Sequence, residues 1–297
     1  MQIQYQDKIF TYYDPLSLRS INVLPEVLTF NNPSKEALLF RLLLGTINIS
    51  NNYDMFKIKQ RINYAQLGTK TVGRLSALSI GDCQIPLLDN KDNFTKYMKR
   101  NRTNHEIYDK LLFEFSNYFY QKSKDSNIAA FVHLYRCIEF ISYTFPLVYA
   151  SKSNNYHGTY KALKSFFSEE QKSELKFFKA FQKSLIDESI LNLQLVLDII
   201  TPDEEMGNRI NAILRDVCFG LHSTDNGTSI SINYGSLFDF IITLRNRYFH
   251  MLTGSGNRNI DDTSICIEYL FKSINDHVAN WIAYIYYEIT KFGFESL

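Results

Sequence analysis

The 297-residue sequence lacks the paired cysteines, the basic charge excess and the enzyme motifs that define several large protein classes. Its four cysteines, Cys83, Cys137, Cys218 and Cys266, lie far apart and form no C-x-x-C pair. This spacing argues against a zinc site or a disulfide framework and favours a reducing compartment, the cytoplasm. The formal net charge of +1 lacks the basic excess of a protein that coats nucleic acid. Any contact with RNA is therefore expected to be local.

Motifs of common enzyme classes are also missing. The chain has no P-loop, no G-x-G-x-x-G, no G-x-S-x-G and no H-E-x-x-H, so nucleotide-binding, dehydrogenase, hydrolase and metalloprotease functions gain no support. His133, His157 and His277 have no companions at metal-ligand spacing, and we predict no metal or other cofactor. The N-terminus lacks the basic and apolar segments of a secretory signal.

One apolar stretch, from Ile128 to Ala150, is long enough to cross a bilayer. It carries His133, Arg136 and Glu139 near its centre, and each is costly to place in lipid. We therefore predict a buried core helix and no membrane association.

Two regions differ along the chain. Residues 1 to about 95 predict a small α+β region of unknown role, in which short β-prone segments surround one helix after Asn32-Pro33-Ser34. From residue 104 to residue 297 the pattern predicts a helical bundle with short connections. Its predicted helices lie near 104–122, 127–151, 159–184, 186–200, 203–220, 234–253 and 262–293. The fold class expected is therefore mostly α.

The most informative stretch is Leu244-Arg245-Asn246-Arg247-Tyr248-Phe249-His250. An arginine offers a planar cationic fork for phosphate, and a histidine near neutral pKa can take and return a proton. Together they supply what breaking a phosphodiester requires without a metal. We predict Arg245 and His250 as catalytic residues, with Asn246 positioning the histidine or the phosphate and Arg247 adding a phosphate contact.

The helix predicted at 234–253 supports this choice. An apolar stripe along it, at Leu237, Phe240, Ile241, Leu244, Tyr248, Met251 and Leu252, has the spacing of a core-facing helix. Asn246 lies one turn before His250, so a hydrogen bond to the histidine ring is expected. On a regular helix Arg245 and His250 diverge by roughly 140°, which favours a site completed by another element or by a second protomer.

Two other arginine–histidine pairs have similar spacing. Arg100 and His105 lie in a polar, lysine-rich stretch, which we interpret as lacking an apolar anchor. Arg215 and His222 are separated by Gly220, which is expected to end their helix. A solvated helix face with an incidental histidine is the alternative for Arg245 and His250.

The 244–250 motif, near the end of a helical region, resembles the signature of HEPN-superfamily ribonucleases: arginine, a polar residue, then histidine at this spacing. The upstream segment Tyr135-Arg136-Cys137-Ile138-Glu139-Phe140-Ile141 resembles a helix of bacterial HEPN-like proteins in which an acidic residue packs toward the motif. The resemblance covers about 104–297. It implies a four- or five-helix bundle, a homodimer with both motifs at the interface, metal-independent RNA cleavage, and a role as a toxin or anti-phage effector with an antitoxin or defence-system partner.

Supporting roles are predicted for Glu139 and Tyr248. A buried carboxylate needs a partner. For Glu139 the candidates are Arg136, one turn back, and Arg245, which Glu139 would then orient. Tyr248 is expected to pack in the core. Basic residues that would steer RNA, or simply face solvent, are Lys57, Lys59, Arg61, Lys70, Arg74, Lys96, Lys99, Arg100 and Arg102.

Two further functions remain open from the sequence. One is a non-catalytic HEPN-like module that binds a nucleotide or RNA, and the other is a helical interaction scaffold whose motif is accidental. The substrate-binding residues, the RNA target and the activating trigger are not specified by any motif.

Overall fold

The computed structural model describes residues 4–15, 26–30, 33–68, 70–71, 91–166, 174–221, 223–250, 259–261 and 263–295. These residues form a mostly helical protein with small antiparallel sheets. The predicted mostly α class, with strands and a helix in the N-terminal region, is confirmed at this level.

The N-terminal region contains a four-stranded antiparallel sheet in the order β1-β2-β3-β4. Its strands are β1 (Gln4–Gln6), β2 (Phe10–Tyr13), β3 (Asn48–Asn51) and β4 (Lys57–Lys59). A second pair follows, β5 (Ile62–Asn63) with β6 (Lys70–Thr71).

The predicted N-terminal helix is α1 (Lys35–Leu43). The Ser34 side chain accepts a hydrogen bond from the amide of Ala37, which satisfies one of the free N–H groups of the first turn. Gly45 follows the helix with φ +70°, and a Cβ there would lie 2.8 Å from the carbonyl oxygen of Ile62. Glycine is thus required both for the left-handed turn and for the close approach of the two backbones.

The remaining helices among the described residues end with one long C-terminal helix. They are α2 (Lys91–Arg100), α3 (His105–Ser123), α4 (Asn127–Lys152), α5 (Tyr156–Phe166), α6 (Glu174–Leu185), α7 (Glu188–Leu191), α8 (Glu204–Val217), α9 (Leu237–Phe249) and α10 (Ser264–Glu295). Helix α4 packs against both α3 and α10. Trp281 on α10 is fully buried at the centre of the core.

The N-terminal region and the helices share one hydrophobic core. Phe40 on α1 packs against Tyr287 on α10, and the Tyr287 hydroxyl donates to the carbonyl oxygen of Phe40 at 2.7 Å. The hydroxyls of Tyr12 on β2 and Ser116 on α3 lie 3.0 Å apart. These contacts join the sheet to α3 and the first helix to α10.

The helix predicted at 186–200 is helical only over α7 (Glu188–Leu191), and the prediction is wrong for the residues that follow. Residues 194–198 form strand β7 (Gln194–Asp198), in a three-stranded antiparallel sheet with β8 (Ser223–Asp225) and β9 (Ser229–Asn233). Leu195 and Leu197 are buried against the core while Val196 is exposed. This alternation has the period of a strand, and within the strand Leu195-x-Leu197 carries it in the sequence.

Other predicted helices differ in extent. The segment 159–184 contains the ends of two helices, α5 and α6, and residues 167–173 between them lie outside the described residues. Helix α8 ends at Val217, and Gly220 then has φ +84°, as its expected role in ending the helix requires. The apolar stretch after Ile128 is helix α4, and no helix among the described residues is long and apolar enough to span a membrane.

Candidate functional site

Helix α9 carries the arginine–histidine motif, and its inner face is buried as predicted. Leu237, Phe240, Ile241 and Leu244 are all buried, which fixes the helix on the core. The helix ends at Phe249, however, and not at residue 253; Met251, Leu252 and Thr253 lie outside the described residues. The motif is therefore placed at the C-terminal end of a helix, with its arginine inside the last two turns.

Arg245 lies half-buried against α4. Its guanidinium carbon is 4.8 Å from the ring centroid of Tyr135, and its Nη1 donates to the Asn246 Oδ1 at 3.0 Å. No described carboxylate lies within ion-pair distance of Arg245. The guanidinium is thus oriented by an aromatic face and an amide while its charge stays available to an anion.

His250 has left the helix. It is the C-cap of α9, with φ −110° and ψ 101°, and its backbone N–H donates to the carbonyl oxygen of Asn246 at 3.2 Å. The expected bond from Asn246 to the histidine ring is absent, and the Asn246 amide oxygen accepts from Arg245. The 140° divergence expected of a regular helix does not apply once His250 is extended. The imidazole is exposed.

Arg247 and Tyr248 have structural surroundings. Arg247 forms an ion pair with Asp216 on α8, and its carbonyl oxygen accepts from the amide of Ile260 at 3.0 Å. This pairing engages a terminal guanidinium nitrogen, Nη1, and the Arg247 side chain is only 17% exposed, so Arg247 does not offer the predicted phosphate contact. The ring of Tyr248 packs edge-on against Phe271 on α10 at 5.3 Å, which agrees with its predicted core position.

Glu139 forms neither of its two candidate ion pairs. It is half-buried, and no Glu139–Arg245 or Glu139–Arg136 ion pair lies within 4.0 Å. Burial raises the pKa of the Tyr135 hydroxyl; the Arg245 charge lowers it and the Glu139 charge raises it, so both charged groups act on that tyrosine. Tyr135, rather than Glu139, therefore contacts the motif arginine.

The partner of Arg136 is Glu114 on α3, a residue that the sequence interpretation missed. The Arg136 Nε lies 3.1 Å from one carboxylate oxygen of Glu114, and the His133 Nδ1 lies 2.7 Å from the other. The Glu114 side chain is only 2% exposed. No local signal marked Glu114, because α3 and α4 bring it to residues some twenty positions away.

The second arginine–histidine pair is better anchored than expected. Phe94 and Met98 before it and Tyr108 after it are buried, so the predicted absence of an apolar anchor is wrong. His105 begins α3, and it lines an open cleft of about 290 Å³ together with Arg102. The remaining lining residues are Pro33, Ser34, Lys35, Glu36, Asn101 and Tyr108. Arg100 is not among them.

The third pair is divided. Arg215 forms an ion pair with Asp225 on β8, which also accepts from the side chain of Asn211. His222 lies outside the described residues. Arg215 therefore fastens α8 to the small sheet.

The remaining predicted positions are the basic residues that would steer RNA and the four cysteines. Lys57 and Lys59 are exposed on β4, Lys96, Lys99 and Arg100 are exposed on α2, and Arg74 lies outside the described residues. Cys137, Cys218 and Cys266 are buried and form no disulfide among the described residues, and Cys83 lies outside them. Within the described ranges no group of three potential metal ligands occurs.

Comparisons of the chain with protein-family models, with curated proteins and with solved structures found no significant match.

Proposed function

We propose that this protein is a metal-independent endoribonuclease of HEPN type, with Arg245 and His250 as its catalytic residues. The observation that carries the proposal is the state of Arg245. It is a half-exposed guanidinium stacked on Tyr135, without a carboxylate partner among the described residues, and the same helix end carries an exposed histidine. Arg247, two residues further along, is neutralised by Asp216.

The chemistry balances without a cofactor. The ribose 2′-oxygen attacks the adjacent phosphorus, the bond from phosphorus to the 5′-oxygen breaks, and the products are a 2′,3′-cyclic phosphate and a 5′-hydroxyl. The 2′-hydroxyl loses its proton and the departing 5′-oxygen gains one; His250 transfers one of these protons and water the other, and general acid–base help of this kind contributes about 10²–10⁴ in rate. Arg245 stabilises the charge that builds on the phosphoryl oxygens.

The proposed enzyme acts as a cytoplasmic homodimer. His250 lies in the exposed C-cap, and Phe249 beside it is 39% exposed. A second copy packed over this end of α9 would cover that aromatic surface and bring a second arginine–histidine motif to the same interface. The proposed biological role is that of a toxin or anti-phage defence effector that is controlled by a partner protein.

One observation favours a second candidate, a non-catalytic HEPN-like module that binds RNA or a nucleotide. No described side chain hydrogen-bonds the His250 ring, so its tautomer is not fixed within this part of the chain. Arg245 alone suffices to hold a phosphate without cleaving it.

Cleavage of RNA in the presence of EDTA separates these functions. Purified protein is incubated with a mixed RNA pool and EDTA, and fragment ends are analysed for 2′,3′-cyclic phosphate. We expect His250→Ala to abolish cleavage and Arg245→Lys to lose most of it, because lysine lacks the planar fork that holds two oxygens. Arg247→Lys is the matched control, since its charge serves Asp216, and it should cleave at close to the wild-type rate.

If the wild-type protein binds RNA without cutting it, the endoribonuclease proposal is wrong and the non-catalytic binding module takes its place. If His105→Ala abolishes cleavage and His250→Ala leaves it intact, the active site is instead the cleft of Arg102 and His105. Thermal melting of each variant verifies that it is folded.

A further inference from the structure

A second polar cluster lies on the α3–α4 face. Glu114 is a buried carboxylate that holds two side chains of α4 at once, His133 through one oxygen and Arg136 through the other. The side chain of His133 is 17% exposed and that of Arg136 is 49% exposed. Glu114 is thus buried inside the protein, while His133 and Arg136 both reach solvent.

The bonding to Glu114 fixes what these groups present outward. An ionised carboxylate only accepts hydrogen bonds, so the His133 Nδ1 must carry the proton that it shares with Glu114. Its Nε2 then lies on the side of the ring away from Glu114, and in an imidazolium ring both nitrogens are donors. The Arg136 Nε forms an ion pair with Glu114 at 3.1 Å, and no described residue hydrogen-bonds the Arg136 guanidinium.

A buried carboxylate that orients a histidine and an arginine creates a pre-organised pair. Groups held by a buried partner, His133 through a hydrogen bond and Arg136 through an ion pair, lose less freedom on binding than mobile surface side chains. A guanidinium edge and an imidazolium N–H match the oxygens of a phosphate group, and hydrogen bonds between such charged partners are the strong ones.

The position of the pair separates it from the 245–250 motif. Val132 and Arg136, one turn apart on α4, lie on the same side of the helix, and both are exposed. Tyr135, which carries Arg245, flanks them on one side, and His133 flanks them on the side of α3. The cluster is therefore a distinct site across helix α4 from Arg245.

We propose that His133 and Arg136, both held by Glu114, form a phosphate-binding site of this protein. The ligand is a phosphate group, carried either by a strand of RNA or by a small phosphorylated molecule. The inference does not depend on RNA cleavage, since it concerns binding at a site that shares no residue with Arg245 and His250.

The test follows histidine side-chain resonances by NMR in the full chain. His133→Gln and His250→Ala assign two of the peaks, and glutamine at 133 can still donate to Glu114. Inorganic phosphate and a short 2′-O-methyl RNA oligonucleotide are titrated separately. A shift of the His133 peak with phosphate supports a small phosphorylated ligand, and a shift with the oligonucleotide alone supports an RNA strand.

Arg136→Lys should weaken the affinity for phosphate by about tenfold, because losing one charge-assisted hydrogen bond to the ligand costs about 1.4 kcal/mol. Lysine keeps a positive charge near Glu114, so this variant tests the fork without leaving the carboxylate unpaired. Arg215→Lys is the matched control, because Arg215 is also an exposed arginine paired with a carboxylate. A His133 peak that neither probe moves, or equal affinities for the two lysine variants, would overturn the proposal and leave the cluster as a structural ion pair.

Discussion

At the scale of single residues, two arginines of α9 show how position decides the role of one side-chain type. Arg245 stacks on Tyr135, whereas Arg247 pairs with Asp216. The two residues are only two positions apart, and the rotation of the helix turns them toward different neighbours. The sequence motif contained both arginines and offered no means of separating a structural cation from an available one.

The aromatic support of Arg245 gives the first prediction. Tyr135→Leu should lower RNA cleavage by about tenfold, because a stacked guanidinium gains about 0.5–2 kcal/mol from the ring. Tyr135→Phe keeps the ring face and should retain nearly the full rate. Initial cleavage rates of both variants, with melting temperatures for comparison, measure the effect. Equal rates for leucine and phenylalanine would mean that the ring does not orient Arg245.

At the scale of elements, strand β7 is the clearest departure from the expected helical region. The sequence pattern favoured a helix through the leucines of the 186–200 segment. In the structure β7 pairs with β9 over residues 194–198, and this pairing satisfies the backbone hydrogen bonds of β7 in a sheet. The alternating burial of Leu195, Val196 and Leu197 follows directly from that pairing.

A pair of alanine substitutions tests the strand. Leu197→Ala should lower the free energy of unfolding by about 2–4 kcal/mol, because Leu197 is fully buried and its removal leaves a cavity. Val196→Ala should cost less than about 1 kcal/mol, since Val196 is 43% exposed. Urea unfolding of both proteins provides the measurement. Comparable losses at these adjacent positions would contradict the alternating register of β7.

At the scale of the whole molecule, Asp276 on α10 joins three distant parts of the chain. Its carboxylate oxygen Oδ1 accepts from the hydroxyls of Tyr64 and Tyr118, each at 2.7 Å, and from the ammonium group of Lys122. Tyr64 belongs to the N-terminal region, and Tyr118 and Lys122 to α3. These bonds fasten both parts to the central helix.

This network predicts a component of acid sensitivity. Burial by itself would raise the pKa of Asp276, but the Lys122 charge and the hydrogen bonds from Lys122, Tyr64 and Tyr118 lower it below its ordinary value of 3.8. A lowered folded-state pKa stabilises the protein above the unfolded-state value, and this stabilisation disappears as the pH falls through the folded-state pKa. Unfolding free energies measured from neutral pH to below pH 3.8 should therefore fall less steeply for Asp276→Asn than for the wild type. Parallel curves would assign the acid loss to other carboxylates.

Assembly gives the last prediction. If two copies meet at the proposed interface, mixing Arg245→Ala protein with His250→Ala protein should restore part of the cleavage, because a heterodimer retains one intact arginine and one intact histidine. Such an interface should bury more than about 1,000 Å² in total. Light scattering and cleavage of the mixed and separate variants are measured together. A fully active monomer would return the site to a single chain.

The sequence by itself determined the mostly helical class, the core face of α9, the N-terminal helix capped by Ser34 and the buried nature of α4. All of these depend on periodicity and capping within a few turns, which are local properties. Only the tertiary structure decided that Tyr135 supports Arg245, that Asp216 occupies Arg247 and that Glu114 holds His133 and Arg136. Each of these contacts joins separate helices, so their geometry depends on packing that no local pattern encodes.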